Sequence, residues 1–210
     1  MSVNVGFEFS REEGVFLVGL ARDAIERALL SEEMPIPSYV SEKLTKEHGV
    51  FVTLNKQDRG SHSLRGCIGL PYPVKPLTEA IIDSAVNSAL NDPRFPPVSL
   101  KEMDSIIVEV SILTPPQELD VKVPQDIPDR IEVGVDGLIV SRGNQRGLLL
   151  PQVAVDWGWD AEEFLTQCCL KAWLQPDAWL LLDTKISKFQ TIIFSEVEPR
   201  GTIEPVVMDN

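Results

Sequence analysis

Leu64-Arg65-Gly66-Cys67-Ile68-Gly69 is the part of this chain that says most about its architecture and its chemistry. The hexapeptide places a lone thiol between two glycines, with an arginine close before it. Glycine adopts positive φ angles and lets another backbone or a ligand approach closely. A guanidinium beside Cys67 would favour the thiolate form of that residue. The same residue types also suit a tight, buried turn, so a reactive thiol and a structural one are both open.

The segments on either side of the hexapeptide predict an antiparallel hairpin. Residues 50–54 read Val-Phe-Val-Thr-Leu, which are strand-forming side chains. Residues 55–62 are polar and contain glycine, as a hairpin connection does. Residues 64–68 would then be the returning strand, with Cys67 at its end. Strand ends and loops often carry functional groups, so the hairpin places Cys67 where a site is expected.

The rest of the chain predicts a mixture of helices and strands without a repeated strand–helix alternation. Apolar residues recur at helical spacing in 12–30, 76–90 and 159–174, whereas 106–113, 138–140, 147–150 and 188–194 read as strands. This pattern predicts an α+β fold with a mainly antiparallel sheet. Ser10 followed by Glu13 three residues later is a capping-box pattern, which predicts that a helix begins at Ser10. Residues 117–128 are expected to form a surface loop or a linker between lobes. Residues 1–9 and 197–210 are expected to be tails.

Composition narrows the range of functions. The 210 residues carry a net charge of 19 − 32 = −13, and 43% are apolar, which supports a substantial core. An acidic surface repels phosphate backbones and anionic membranes, so nucleic-acid and membrane binding are disfavoured. No apolar run approaches the ~20 residues of a membrane span, and the first ten residues do not resemble a signal peptide. Three cysteines, two of them adjacent, fit a reduced cytoplasmic protein.

The hexapeptide resembles the signature of the AMMECR family, named after a candidate region for Alport syndrome, midface hypoplasia and elliptocytosis. Further blocks resemble the family in the same order, at residues 49–54, 92–97, 137–153 and 157–172. On this resemblance, residues 10–195 form a single AMMECR-type domain. Prokaryotic members are called protein A of the AmmeMemoRadiSam system.

The resemblance implies an architecture and partners more than an activity. Family members are α+β proteins with two unequal sublobes and a cleft between them, the larger sublobe being built from both chain ends and the smaller one from the middle. The system name implies a Memo-type protein and a radical SAM (S-adenosylmethionine) enzyme as partners. The iron–sulfur cluster would belong to that enzyme, so this chain is expected to carry no cofactor of its own. Two positions depart from the family pattern: Asp136 stands where many members have histidine, and Trp173 where many have glycine.

The candidate site combines the hexapeptide with residues carried over from the family blocks. The candidate catalytic residue is Cys67, and the candidate ligand or cleft residues are Arg65, Gly66, Asp92, Arg94, Gln152 and Lys171. Each also has a structural interpretation. Asp92 and Arg94 would hold a polar ligand or stabilise a turn. Gln152 would bind a ligand or make a structural hydrogen bond, and Lys171 would supply charge or be a solvated lysine.

Two familiar kinds of cysteine site are not expected. A thiol nucleophile usually needs a base within reach. His62 lies five residues before Cys67 on the same strand, roughly 16 Å away at ~3.3 Å per residue. His48, the second of two histidines, is expected at the surface. Zinc needs three or four ligands in compact spacings, which Cys168 and Cys169 do not offer.

Three functions remain open at this point. The first is a cytoplasmic component that acts on, or delivers, a small molecule or modified residue at a cleft around Cys67, where Arg65 would hold an anionic group of the ligand. The second is a non-catalytic adaptor that docks a partner protein. The third, a nucleic-acid-associated factor, is disfavoured by the charge of −13. The residues do not decide whether the chain is an enzyme.

Overall fold

The computed structural model describes residues 9–37, 41–58 and 60–206, in which helices and strands are joined by loops. The helices are α1 (Arg11–Leu30), α2 (Leu77–Leu90), α3 (Pro151–Trp157) and α4 (Ala161–Lys171). The strands are β1 (Gly49–Asp58), β2 (Ser61–Leu70), β3 (Ile106–Leu113), β4 (Gln117–Glu118), β5 (Gly137–Arg142), β6 (Gln145–Leu149), β7 (Lys185–Phe189), β8 (Thr191–Glu196) and β9 (Ile203–Val206). No helix among these residues is long and apolar enough to cross a bilayer.

The strands form two separate sheets, one in each of two compact units. The first sheet has the order β2-β1-β3-β8-β9 and the second has the order β4-β7-β5-β6. Neighbouring strands with a defined register run antiparallel. The first unit contains residues 9–113 and 192–206, and the second contains residues 114–191. The predicted α+β class with mainly antiparallel sheets is confirmed.

The first helix begins where the sequence predicts it to begin. The Ser10 hydroxyl accepts a hydrogen bond from the Glu13 backbone N–H at 3.1 Å, and the Glu13 carboxylate accepts one from the Ser10 backbone N–H at 2.8 Å. This capping box satisfies backbone donors that a helix start leaves unpaired. Leu17, Ala21 and Ile25 then bury one face of α1 completely.

The first sheet has one face covered by helices and one face without them in its own unit. Helices α1 and α2 contact each other, and together they share a core with Val50, Val52 and Leu54 of β1. Side chains alternate along a strand, so Phe51 and Thr53 point to the opposite face. We call this opposite side, which no described helix of the first unit covers, the helix-free face.

A buried ion pair joins the start of the first unit to its end. The Arg22 guanidinium on α1 donates two hydrogen bonds of 2.6 Å to the Glu196 carboxylate on β8. Arg22 also donates to the Ile106 carbonyl at 2.6 Å, and Glu196 accepts from the Val108 N–H at 2.9 Å. Charge and hydrogen bonds are therefore both satisfied, which a buried pair requires.

We expect Glu196→Gln to cost about 3–5 kcal/mol of unfolding free energy, because it leaves the buried Arg22 charge with only the longer, 3.4 Å ion pair to Glu26. The matched control is Glu204→Gln, which removes the partner of Arg11 in an exposed α1-to-strand pair. That exposed pair is worth about 0–1 kcal/mol. Urea unfolding measures both variants. Equal losses in the two variants would contradict the structural role given to the buried pair.

Two expectations for the C-terminal part are corrected. The strand expected at 188–194 is two strands, β7 and β8, which belong to different sheets and are separated by Gln190. The expected tail from residue 197 contains β9, in which Ile203 pairs with Glu196 of β8. The sequence pattern did not predict β9, because Pro205 argues against a central strand. Proline is tolerated at the edge of a sheet, which is where β9 lies. The expected tail at 1–9 lies outside the described residues apart from Phe9.

Trp173 terminates α4 in a conformation that glycine adopts most easily. Its φ is 59°, in the left-handed region. The Leu174 N–H donates to the Cys169 carbonyl at 3.0 Å and the Trp173 N–H to the Leu170 carbonyl at 2.9 Å, which is a Schellman motif. The glycine that the family resemblance implies at this position would fit this geometry. Trp173 is 88% exposed, so packing does not compensate for the strain.

Replacing Trp173 with glycine is expected to stabilise the fold by about 1 kcal/mol, because a left-handed non-glycine residue costs roughly 1–2 kcal/mol. Trp173→Ala is the matched control, since it removes the indole but keeps the Cβ that causes the strain. Thermal and urea unfolding of the two variants give the comparison. If both variants, or neither of them, were more stable than the wild type, relief of backbone strain at residue 173 would not be the cause.

Candidate functional site

Cys67 lies on the edge strand β2 of the first sheet and is partly exposed. It stands directly opposite Thr53 of β1. The Thr53 hydroxyl donates a hydrogen bond to the Cys67 sulfur across a distance of 3.4 Å. Both side chains therefore belong to the helix-free face, and the hydroxyl fixes the position of the sulfur.

Asp92 and Arg94 hold the backbone of Cys67 from outside the sheet. The Cys67 N–H donates to the Asp92 carboxylate at 2.9 Å, and the Cys67 carbonyl accepts from the Arg94 guanidinium at 3.0 Å. The two side chains bind each other at 2.7 Å. An edge strand otherwise leaves such backbone groups unpaired. We call this arrangement the Asp92–Arg94 clamp.

The Asp92–Arg94 clamp favours the ionised form of the Asp92 carboxylate. The hydrogen bond from Arg94 holds the pKa of Asp92 well below its usual range, although burial opposes this, and the Cys67 N–H adds to the effect. Asp92 is 4% exposed, whereas the Arg94 side chain is about half exposed. The sequence left two roles open for this pair, a ligand site and a structural one. Asp92 is buried and binds backbone N–H groups, which is a structural role, whereas part of the Arg94 side chain is open to solvent.

The glycines around Cys67 allow close packing on both faces of β2. A Cβ on Gly66 would lie 2.2 Å from the Ser88 carbonyl of α2, and one on Gly69 would lie 2.5 Å from the Phe51 ring. The Ser88 hydroxyl also accepts from the Ile68 N–H at 2.8 Å. The expectation that Gly66 lets a ligand approach is corrected, because helix α2 occupies that space.

The Arg65 guanidinium points away from the Cys67 thiol and pairs with another residue. The β1–β2 register pairs Leu54 with Gly66 and then Asn55 with Leu64, so a bulge leaves Arg65 without a cross-strand partner. The Arg65 guanidinium binds the Glu102 carboxylate at 3.2 Å. A bulge re-aims a side chain that simple alternation would have placed beside Cys67. The expectation that Arg65 holds an anionic ligand group near the thiol is therefore corrected.

Burial raises the pKa of the Cys67 thiol above its usual value. The Thr53 hydrogen bond and the positive charge of Arg94 oppose this change, while the carboxylates of Glu109 and Asp92 reinforce it. The expected low-pKa thiolate is therefore not what the structure shows. At neutral pH the resting thiol is protonated.

Glu109 is a member of the site that the sequence did not reveal. It lies on β3 directly opposite Thr53, so Cys67, Thr53 and Glu109 follow one another across three strands on the helix-free face. Burial raises the pKa of the Glu109 carboxyl. In the sequence Glu109 alternates with buried valines, a pattern that indicates only a solvent-facing position. Its position opposite Thr53 depends on strand pairing.

The remaining carried-over residues lie in the second unit. Gln152 is on α3, and its side-chain oxygen is buried without a hydrogen-bond partner among the described residues. Lys171 is exposed in the last turn of α4. Asp136, at the position where many family members have histidine, is 1% exposed and binds Lys188 at 2.8 Å. In this chain that position holds a structural ion pair.

The histidines and the other cysteines lie elsewhere. His48 is buried, against expectation, with its ring 5.9 Å from that of Phe9, and burial lowers its pKa. Cys168 and Cys169 are both fully buried, and burial raises their pKa values to about 12 and about 11. Within residues 9–37, 41–58 and 60–206, no three potential ligands cluster to hold a metal ion.

Comparisons with known proteins agree with this architecture. The AMMECR1 family model matches residues 18–194. Protein PH0010 of Pyrococcus horikoshii is 54% identical over 200 residues, which are 94% of this chain and 97% of that protein. Protein MJ0810 of Methanocaldococcus jannaschii is 51% identical over 192 residues, covering 91% and 94%. The chain belongs to the AMMECR1 family.

A solved structure shares the fold as well as the sequence. The crystal structure of the uncharacterized protein PH0010 from Pyrococcus horikoshii matches with a TM-score of 0.86 at 52% identity. The match covers 95% of this chain and 99% of that one. The similarity therefore extends over both compact units.

Cys67 is expected to be the one thiol of three that iodoacetamide modifies in the folded protein, because Cys168 and Cys169 are fully buried. Its rate should rise with pH around a midpoint above the ~8.5 of a free thiol, since burial raises its pKa. Mass spectrometry before and after denaturation gives the site and the rate.

Arg94→Gln should slow this modification at fixed pH, because it removes a positive charge near the sulfur and leaves Asp92 uncompensated. Arg142→Gln, which removes an exposed arginine in the second unit, is the control and should leave the rate unchanged. A midpoint below that of a free thiol in the wild-type protein would contradict the electrostatics described here.

Proposed function

We propose that Cys67 is the centre of a ligand-binding or catalytic site on the helix-free face of the first sheet. The observation that carries this proposal is a partly exposed sulfur whose side chain and backbone are both fixed, by Thr53 at 3.4 Å and by the Asp92–Arg94 clamp. A purely structural cysteine resembles Cys168 and Cys169, which are fully buried. Cys67 differs from them in exposure and in its polar surroundings.

The geometry favours chemistry that begins from a protonated thiol. Fixed groups are effective at a site because no energy is spent on arranging them during binding. A raised thiol pKa keeps the resting sulfur weakly nucleophilic and slow to oxidise, because the thiolate is the reactive form. A bound ligand would increase reactivity by bringing positive charge or a hydrogen-bond donor to the sulfur. The substrate would be a small molecule or a modified residue.

The cellular setting in this proposal follows the family resemblance. The chain would act in the cytoplasm as the A component beside a Memo-type protein and a radical SAM enzyme. The iron–sulfur cluster would reside in the radical SAM enzyme. Arg94, which is held by Asp92 and the Cys67 carbonyl but is about half exposed, is the carried-over residue that would contact a ligand at the sulfur. Gln152 and Lys171 remain proposed ligand or cleft residues. A cleft between two unequal sublobes also remains a proposal.

An adaptor without catalysis is the second candidate, and exposed aromatic and aliphatic side chains of the second unit favour it. Trp157 is 71% exposed, Trp173 is 88% exposed and Leu182 is 87% exposed. Large apolar side chains at a surface are common at protein interfaces. A nucleic-acid role remains disfavoured, because the net charge of −13 opposes phosphate binding.

Co-purification with the two companion proteins separates the candidates. If Cys67 is the functional centre, mass spectrometry under non-denaturing conditions should show a retained ligand or adduct on the wild-type chain that Cys67→Ala and Cys67→Ser both lack. If the chain is an adaptor, complex formation should survive both cysteine variants and weaken in Trp157→Ala. Full complementation of a deletion strain by both cysteine variants would overturn the thiol proposal.

A further inference from the structure

Glu109 places a carboxyl group on the helix-free face, two strands away from Cys67 in the first sheet. Its carboxylate has no hydrogen bond or ion pair among the interactions of the described residues, although its side chain is partly buried. A half-buried carboxylate without a partner is costly, because burial removes water that would otherwise solvate it. Such a group favours a positively charged or hydrogen-bonding ligand.

The groups around the thiol leave this charge unbalanced. Asp92 and Arg94 also act on Cys67, but they bind each other and their charges cancel. Two other cations near β1 and β2, Lys56 and Arg65, both pair with Glu102. Of the groups that act electrostatically on the sulfur, Glu109 is therefore the one without an oppositely charged partner among the described residues.

The register brings this charge within reach of a molecule bound at the sulfur. Thr53 pairs with Cys67 on one side and with Glu109 on the other. Adjacent strands are ~4.8 Å apart, so Cα atoms two strands apart are separated by about 10 Å. Both side chains rise from the same face, so a ligand must span about 10 Å to contact both of them.

We propose that Glu109, Thr53 and Cys67 form a subsite for a cationic ligand, in which an ammonium or guanidinium group binds Glu109 while a neighbouring atom of the same molecule meets the Cys67 sulfur. This inference rests on the proposed function and adds the charge class of the ligand. Cation binding would neutralise Glu109 and so remove its repulsion of a developing thiolate. A cationic ligand would thus activate the thiol that it reaches, and an anionic ligand would not.

Methanethiosulfonate reagents of different charge test the proposal on the intact chain. The Cys67 thiolate attacks the sulfenyl sulfur, a protein–reagent disulfide forms, methanesulfinate leaves with the electron pair, and the thiol proton goes to solvent. The probes are the trimethylammonioethyl (cationic), methyl (neutral) and sulfonatoethyl (anionic) reagents. Rates are measured by mass spectrometry, with Cys67→Ala as the blank.

The wild-type chain should react faster with the cationic than with the anionic reagent, and Glu109→Gln should reduce that ratio about tenfold, because one nearby charge acts with opposite sign on the two probes. The overall charge of −13 also favours cations. Glu32→Gln removes one exposed carboxylate far along the chain and is the matched control. Its ratio should stay at the wild-type value.

A second measurement needs no variant and keeps the test valid if Glu109→Gln does not fold. In the wild-type chain, the cation-to-anion ratio should fall as pH decreases through the pKa of Glu109, which burial holds above its usual value. Asp92 stays ionised there because Arg94 holds its pKa low, and Arg94 stays charged. Because the overall charge of −13 also shrinks at lower pH, rates are compared at about 0.15 M ionic strength, where charges farther than ~8 Å from the reagent are largely screened.

The outcomes separate this inference from the proposed function. Equal ratios in the wild type, Glu109→Gln and Glu32→Gln, or a ratio that does not change with pH, would overturn the cationic subsite while Cys67 remained reactive. Failure of all three reagents to modify Cys67 in the folded chain, with full reaction after denaturation, would overturn the thiol site itself.

Discussion

The hydrogen bond from the Cys67 N–H to the Asp92 carboxylate, at 2.9 Å, is the contact on which the site depends. It lies at the outer edge of the first sheet, where strand β2 has no further strand to pair with. Arg94 completes the contact by binding both the carboxylate and the Cys67 carbonyl. The clamp thus satisfies the Cys67 backbone N–H and C=O groups at the sheet edge, and the same hydrogen bonds hold the residue that carries the thiol in place.

The two faces of the β1–β2 hairpin differ in their surroundings: one packs against helix α2, and the other carries the polar groups of the candidate site. One face meets α2 so closely that residue 66 has no space for a Cβ, and the Ser88 hydroxyl enters the strand pairing there. The other face presents the thiol, the Thr53 hydroxyl and the Glu109 carboxylate in register. Close packing on the first side holds the strands rigidly, and rigid strands give the polar groups on the second side fixed positions. A bulge at Arg65 removes the positive charge that the linear sequence places beside the thiol.

Because the Arg65 guanidinium is not beside the thiol, the electrostatic surroundings of the site differ from those that the sequence suggests. With Arg65 bound to Glu102 and Asp92 bound to Arg94, Glu109 is the charge acting on the sulfur that remains uncompensated. The hexapeptide alone suggests an anion site with an acidic thiol. The folded chain has a thiol with a raised pKa, and two strands away a carboxyl group that has no partner among the described residues. The two descriptions differ because Arg65 pairs away from the thiol and because Glu109 joins the same face of the sheet through strand pairing.

The sequence by itself determined the α+β class, the α1 capping box, the hairpin around Cys67 and membership of the family, because these depend on local patterns such as strand alternation, helical spacing and short motifs. It missed β9, since an edge strand with proline lacks a clear pattern, and it assigned Arg65 and Gly66 to a ligand. Only the tertiary structure decided the partners of Arg65, the close approach of α2 to Gly66 and the place of Glu109 beside Thr53. Pairing between distant segments sets these contacts, and burial sets the charges of the groups that they bring together.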